Sequence, residues 1–530
     1  MNYEASVVES VQKPAAPRHI AIVRITHWIV VLSVVGLLVS GTGILVSHPR
    51  LYWGETGSLG TESLIDLPIP FIIGPSVPNR PFHFFFAWIL VLTGLTYVAG
   101  GFITQHFRND LVPAKGDVRW NRIMSAISEH LRWRPASANA GRTYNVVQRL
   151  TYLAVVFALF PAILWTGLAM SFGVTSVFPI LATALGGHQS ARTLHFVFVT
   201  LLLLFVIVHI VMIRLAGFWS SVRAMITGYI PEGRNLAPAP GDVDSTPEAA
   251  RYRAGAAPGR LRGFDTILSG NDEGSTNKIL ARRTFVTGGL ATAAGASGLG
   301  AAVYFGGRHG LIPPDHTGII GVGETLTYAT QRLLTSGHSL AREFKRSDIS
   351  KIAPVNGPHP KDEHYRSLLA DGFRDWRLSV EGLVARPQSF SLEELKRLPV
   401  ESHIILHACE EGWSYIAEWT GVRLAMVLDL VGMRPESRYV VFEPFANPNQ
   451  SGSVVRVLWD SIDMADALHP QTLLAYGMNG EDLPPDHGAP VRLRLSRHLG
   501  YKNTKYLSRI IVTDRRDYYR KGRGTWYGGI

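Results

Sequence analysis

Read along its length, the chain divides into a first part of long uncharged stretches and a second part of short alternating ones. Uncharged, mostly apolar runs occupy residues 25–46, 82–106, 150 to about 171, 193–213 and 284–307. Each supplies the roughly 20 residues needed to cross a hydrocarbon layer of about 30 Å. From about residue 310 onward no comparable run occurs. Short stretches at 376–380, 403–407, 439–442 and 508–512 instead carry the β-branched and aromatic content of strands. Ser391-Leu392-Glu393-Glu394 has the form of a capping box opening a short helix that Pro399 closes. The pattern predicts an all-α transmembrane four-helix bundle, one further transmembrane helix, and a C-terminal α+β domain.

Charge changes this picture by orienting it. The net charge of +11 would suggest a nucleic-acid partner, but its distribution removes that reading. Three basic residues precede the first run (Lys13, Arg18, Arg24), eight lie between the second and third (from Arg108 to Arg149), and ten follow the fourth (from Arg214 to Arg283). The other two loops hold only Arg50, Arg80 and Arg192. The positive-inside rule therefore puts the N-terminus in the cytoplasm, and a fifth span carries the C-terminal domain out of it. This describes a multi-pass membrane protein with lipid as a partner, no nucleic acid, and an extracytoplasmic C-terminal domain.

Domain limits follow from composition. Residues 1–230 form the membrane domain. Residues 231–281 are rich in Gly, Ala, Pro and charge and read as a flexible cytoplasmic linker. At 282–307, Arg282-Arg283-Thr284-Phe285 leads a weakly apolar Gly/Ala stretch that resembles a twin-arginine export signal. Two arginines anchoring the cytoplasmic end of a helix are the simpler alternative. Ala294-Gly295-Ala296 also has the form of a cleavage site. Residues 308–530 form the second domain.

Ionisable side chains within a membrane are functional candidates, and imidazole is a common haem ligand. His195 and His209 lie 14 residues apart in the fourth run, which on a helix returns to within about 40° of one face over about 21 Å. With the topology above, His195 is outer and His209 inner, while His27 begins the first run inside and His83 begins the second outside. The pairs His27–His209 and His83–His195 follow. His106, 23 residues beyond His83, is rotated about 140° away and faces lipid headgroups or another helix. His19 and His188 are interfacial.

Arg24-Ile25-Thr26-His27-Trp28, Gln148-Arg149-Leu150-Thr151-Tyr152, Thr166-Gly167-Leu168-Ala169 and Arg192-Thr193-Leu194-His195-Phe196 resemble bacterial cytochrome b561-type proteins. These include the di-haem cytochrome b subunits of formate dehydrogenases and nickel-iron hydrogenases. The resemblance spans about residues 18–230. It implies two haems b held by paired histidines and electron exchange with quinone or quinol at a site beside the inner haem. A homo-oligomer through the membrane domain is a further expected partner.

Cys409 is the sole cysteine, which excludes an intramolecular disulfide. It follows the strand candidate 403–407. A soft thiolate at a strand-to-loop junction suits a soft redox metal. A buried core thiol, a zinc site with His403 and His407, and a nucleophile with His407 as base are the local alternatives.

Trp376-Arg377-Leu378, His407-Ala408-Cys409-Glu410-Glu411-Gly412-Trp413-Ser414, Trp419-Thr420-Gly421-Val422, Leu474-Ala475-Tyr476-Gly477, His487-Gly488-Ala489-Pro490-Val491-Arg492 and Leu499-Gly500-Tyr501-Lys502 resemble the sulfite-oxidase superfamily of molybdopterin enzymes. They are most similar there to periplasmic methionine sulfoxide reductase catalytic subunits. The resemblance implies a molybdenum-molybdopterin cofactor with Cys409 as catalytic residue and metal ligand. It implies that Ser339, Arg342, Glu343, His487, Arg492, Asn503, Thr504 and Lys505 hold the pterin and its phosphate. Arg342, His487 and Pro444 depart from the reductase pattern, so the substrate does not transfer with the cofactor. The sequence stops at Ile530, short of the dimerisation domain of sulfite oxidases, which tilts the expectation away from sulfite oxidase itself. The expected function is a membrane-bound molybdenum oxidoreductase that moves electrons between quinone and an extracytoplasmic small molecule, reducing an S- or N-oxide. The alternatives are a sulfite-type dehydrogenase running the other way, and a non-catalytic module on a cytochrome anchor.

Overall fold

The computed structural model describes residues 19–69, 79–113, 121, 124, 128, 146–228, 318–335, 339–357, 359–444 and 459–515. The linker at 231–281 and the twin-arginine segment at 282–307 lie outside the described residues.

Four helices among these residues are long and apolar enough to cross a membrane: α1 (Ala21–Leu45), α2 (Asn79–Ile103), α3 (Val146–Ala169) and α4 (His188–Thr227), the last crossing with its portion His188–Leu215. Each begins three to five residues before the uncharged run that signals it. Helical hydrogen bonding continues through polar residues such as Arg24 and Arg80, whose long stems can lie along apolar surface while the charge reaches water. Leu32, Val39, Leu95 and Leu204 point outward from the bundle, as a lipid-facing surface requires. Hydroxyls within the helices are satisfied locally: Ser33, Ser40 and Thr166 donate to carbonyls four residues back at 2.7–2.9 Å. α4 breaks at Gly217, whose φ of +102° is a left-handed value that a Cβ would disfavour. The helix beyond the break meets the start of α1, where Arg24 donates to the Ile226 carbonyl at 3.0 Å and Trp28 to Met225 at 3.3 Å.

His106 lies just past α2, buried, with Nδ1 2.7 Å from Asp110 and its ring beside Tyr97 and Phe107. These partners belong to α2 itself and to the turn that follows it. His188 stacks on Phe172.

The loop after α1 forms a small ribbon, β1 (Arg50–Leu51) against β2 (Ile65–Asp66). The C-terminal domain contains β3 (Arg377–Gly382), β4 (Gln388–Ser391), β5 (Val400–Ala408), β6 (Ser414–Arg423), β7 (Tyr439–Pro444), β8 (Asp460–Asp463), β9 (Leu473–Met478), β10 (Glu481–Asp482), β11 (Arg492–Arg494) and β12 (Leu507–Thr513). One sheet runs β10-β9-β6-β5, with β11 also on β9; the other runs β4-β3-β12-β7-β8. Three of the four strand stretches expected from the sequence fall within β5, β7 and β12, and the fourth, 376–380, overlaps β3 from Arg377 onward. The capping box also forms, with Glu394 N–H donating to Ser391 Oγ at 3.2 Å and Ser391 N–H to Glu394 Oε2 at 2.7 Å. Trp419, Leu424, Val427, Phe442, Leu474 and Ile510 fill the core and are almost wholly buried.

α5 (Gly318–Leu334) was not evident from the hydrophobic pattern. It joins the two parts of the molecule. Thr327 Oγ1 accepts from Trp88 Nε1 of α2 at 2.9 Å, and Tyr328 Oη donates to Asp463 at 2.6 Å. Arg332 pairs with both Asp463 and Asp466. Asp466 also pairs with Arg497 at 2.7 Å and His498 at 2.8 Å. Burial alone would raise its carboxyl, but His498 and Arg332 outweigh this and hold it well below the usual carboxylate range. Asp466→Ala would remove the buried carboxylate shared by Arg332, Arg497 and His498 and is expected to cost about 3–5 kcal/mol, read as a lowered denaturation midpoint. Because the folded value is depressed, this contribution is present above about pH 4 and is lost as pH falls toward the folded value.

Candidate functional site

The helices bring the four expected histidines together as two pairs. The rings of His27 and His209 have centroids 6.5 Å apart, and those of His83 and His195 are 6.4 Å apart. Two imidazoles sharing one metal at about 2 Å each have centroids about 6 Å apart, so both pairs fit a bis-histidine iron.

Supports for the second pair were not foreseen. Ser40 Oγ lies 3.1 Å from His83 Nδ1, and Thr166 Oγ1 lies 2.9 Å from His195 Nδ1. Each hydroxyl already donates its proton to a backbone carbonyl, so each accepts from the imidazole Nδ1–H. The Nε2 lone pair is thereby left for a metal, and the ring is held in orientation. His27 Nδ1 is buried without a partner among the described residues. The two pairs therefore differ in support.

Cys409 opens the hairpin loop between β5 and β6, whose last paired residues are Ala408 and Ser414. Its N–H donates to Trp413 O at 2.9 Å, and Gly412 N–H donates back to Cys409 O at 3.1 Å. Gly412 has φ +105°, and a Cβ there would lie 3.0 Å from the Arg192 guanidinium. Cys409 is buried, and Asn356 Nδ2 lies 3.9 Å from its sulfur. Burial, then Glu411, pushes the thiol up, so a thiolate there needs a cation beside it. Glu410 is pushed up to about 7 by burial, against the opposing charge of Arg80.

The zinc and nucleophile alternatives find no support in this geometry. His403 is engaged by Glu343 at 2.8 Å and Glu401 at 3.4 Å. Among the described residues no three His, Cys, Asp or Glu side chains are arranged to hold a metal. His407 packs against Trp413, Tyr415 and Trp419, and burial followed by Arg494 and Arg492 holds it well below its ordinary value.

Around Trp419 the structure collects cations. Arg492 and Arg494 lie over its ring at 4.9 and 5.4 Å, and His407 and His487 flank it. Arg492 donates to His487 O and Asn503 O, and Arg494 to Leu406 O, Leu495 O and Asn503 Oδ1. Neither arginine forms an ion pair among the described residues. Burial and Arg492 push Arg494 down to about 9, and burial and Arg492 push Lys505 down to about 8. Arg492 Nε, Arg494 Nε, His407 Nδ1, Trp419 Nε1 and Tyr506 Oη are buried without partners among the described residues. Buried charge without a counter-ion is costly. An anionic, hydrogen-bond-rich group such as a phosphorylated pterin fits this cradle.

Of the residues expected to hold the pterin, His487, Arg492 and Lys505 belong to this cluster. Asn503 braces it from behind, since its Oδ1 accepts from Arg494 and from Leu495 N–H. The Thr504 carbonyl accepts from Leu493 N–H. The other three engage different partners: Ser339 with Arg497 and His469, Arg342 with Glu55, and Glu343 with His403 and Gln471. Arg494 was missed, although alternate arginines on one strand share a face.

Comparison with known families agrees with the geometry. The family described as prokaryotic cytochrome b561 matches residues 18–228, and that described as oxidoreductase molybdopterin binding domain matches residues 366–520. Over 201 residues the chain is 36% identical to a putative protein-methionine-sulfoxide reductase subunit of Azospira oryzae, covering 38% of this chain and 71% of that relative. Over 176 residues it is 32% identical to a protein-methionine-sulfoxide reductase catalytic subunit of Ralstonia nicotianae, covering 32% of this chain. It spans about half (49%) of the length of that second relative. A solved sulfane dehydrogenase from Paracoccus pantotrophus is 25% identical over 27% of this chain and 40% of that one, with a TM-score of 0.24, too low to compare folds.

Proposed function

Since the chain belongs to the prokaryotic cytochrome b561 family and joins it to a molybdopterin-binding oxidoreductase domain, we propose that it reduces an extracytoplasmic S- or N-oxide with electrons drawn from quinol through two b haems. His27 and His209 hold one haem, and His83 and His195 hold the other. Cys409 holds molybdenum, with the cationic group around Trp419 holding the pterin and its phosphate. When bound, that cofactor supplies the two-electron oxygen-atom chemistry, and the protein positions it and tunes its surroundings. Both relatives carry methionine sulfoxide reductase names, which makes methionine sulfoxide the first substrate to try. In this reading the N-terminus is cytoplasmic, and residues 308–530 lie outside with the His83–His195 pair.

The observation that carries the proposal is one of placement. The hairpin holding Cys409 meets the end of the bundle that carries His83 and His195: Arg80 donates to Glu410 O at 3.3 Å, three residues from His83. Purified protein is expected to contain two haems and one molybdenum and to oxidise a reduced viologen dye on addition of methionine sulfoxide. Sulfite with an oxidised dye tests the opposite direction. Rapid sulfite oxidation without sulfoxide reduction would reverse the assignment, and protein with haem but no molybdenum would sink the enzymatic reading.

A further inference from the structure

The first turn of α4, six residues and about 9 Å of helix rise before His195, reaches into the Cys409 hairpin. Gln189 Nε2 donates to Gly412 O at 2.9 Å and to Ser414 Oγ at 2.8 Å. Ser414 Oγ donates in turn to Glu55 O at 2.9 Å. Gly57 and Ser414 form a two-way backbone pair, Gly57 N–H to Ser414 O at 3.0 Å and Ser414 N–H to Gly57 O at 2.9 Å. The loop after α1 thereby pairs with the first residue of β6. The same loop caps α4: Gln189 and Ser190 N–H donate to Gly54 O at 2.9 and 3.1 Å, and His188 N–H donates to Glu55 Oε2 at 3.0 Å. Arg192, one turn before His195, packs on Gly412 and donates to His48 O and Arg50 O at 2.6 Å each.

This junction is closed to bulk solvent, and within it Gln189 Oε1 is buried without a partner among the described residues. Gln189, Ser190, His48 and Ser414 are each 1% exposed or less. Short-lived contacts between electron-transfer partners are small and wet, whereas buried and bonded polar groups characterise a permanent contact. A buried amide with two donated bonds also fixes orientation, because any shift leaves a polar group unpaired in a low-dielectric setting.

We propose that Gln189 is a positioning residue that clamps the Cys409 hairpin onto the haem-ligand helix α4, so that electrons pass between the His83–His195 site and the Cys409 site within one chain. The proposal rests on the function set out above. Reduction of one S-oxide breaks the S–O bond, consumes two electrons and two protons, and releases the oxygen as water. Quinol, oxidised to quinone, supplies both electrons, which cross the junction one at a time. One bonded link runs from the Gln189 side chain to Gly412 O and then to Cys409 through the Gly412 N–H to Cys409 O bond, beside the link from Arg80 to Glu410 O.

The test uses the full-length, cofactor-loaded protein with Gln189→Ala and, as a second variant on the same bond, Ser414→Ala. Hydrogen exchange at the Gly57 and Ser414 amides is measured first and needs no substrate. Gln189→Ala is expected to raise exchange at both amides by about tenfold or more. The haems are then reduced with a quinol analogue, and their reoxidation on adding sulfoxide is followed by absorbance. Reoxidation is expected to slow by about tenfold or more, while turnover driven directly by a reduced dye stays at the wild-type rate. Gln189→Glu, which exchanges the donor for an acceptor, is expected to behave as Gln189→Ala does.

Unchanged exchange, or unchanged haem reoxidation, in both variants overturns the proposal. So does an equal fall in dye-driven and haem-linked rates, which would place Gln189 in support of the metal site itself. If wild-type protein turned over no oxidised substrate with dye, the functional reading would fail, and the exchange arm alone would still decide whether Gln189 clamps the hairpin.

Discussion

Cys409→Ser is expected to abolish substrate reduction while leaving the haem absorbance spectrum unchanged. The loss should exceed the roughly 10–100-fold typical of residues that merely support a metal ligand. Serine offers a harder oxygen on a shorter bond and keeps its proton at neutral pH, so it is a poor substitute for a soft thiolate. The change is nearly isosteric. The hairpin is held by its own backbone, with the Cys409 N–H on Trp413 O and Gly412 N–H on Cys409 O, and neither bond uses the sulfur. The fold and both histidine pairs should therefore persist. Dye-driven turnover, molybdenum content and the reduced-minus-oxidised haem spectrum, all on one preparation, check this. A serine variant that retained wild-type turnover would remove Cys409 from the metal site.

His209→Ala is expected to delete one haem and spare the other. Haem content should fall from two per chain to one, and a redox titration of the haem band should change from two steps to one. Quinol-driven turnover should fall to background, because the first acceptor of the chain is gone, while dye-driven turnover should remain. Separation makes this selective: the two histidines of α4 are about 21 Å apart along the helix, and effects at such separations are usually independent. The supports are also separate. His83 rests on Ser40, and His195 on Thr166 and the Ile163 carbonyl at 3.2 Å, none of which touches His209. His195→Ala should remove the other haem and stop electrons from quinol at the first. Loss of the haem at His83 in the His209 variant would overturn the pairing.

How much was legible beforehand depended on the range of the interaction. The four spans were readable because lipid demands about 20 apolar residues in succession, a purely local requirement. The pairing of His27 with His209 and of His83 with His195 was readable because the helical repeat and the alternation of span direction fix level and face without contact information. Cys409 could be placed after a strand, but its local chemistry left a buried thiol, a zinc ligand and a nucleophile open. Family resemblance, not periodicity, pointed to molybdenum.

Other features left no local trace. Ser40 and Thr166 read as ordinary polar residues in membrane helices until their hydroxyls are found beside His83 and His195. Arg494 read as one basic residue among many, yet it is wholly buried over Trp419. Ser339, Arg342 and Glu343 carry the opposite lesson: motif position grouped them with Arg492 and Lys505, whereas their side chains engage Arg497, Glu55 and His403.

The amino-acid sequence by itself determined the four apolar helices, the pairing of His27 with His209 and of His83 with His195, the strand segments and the single cysteine at the end of one of them. These depend on composition and on the helical and strand repeats, both set by the backbone. Only the tertiary structure decided which hydroxyls brace the imidazoles, which cations gather around Trp419, and that Gln189 meets a hairpin 225 residues further along the chain. The physical reason is that burial and hydrogen bonding between distant segments depend on where the folded chain brings them, and no local repeat encodes that.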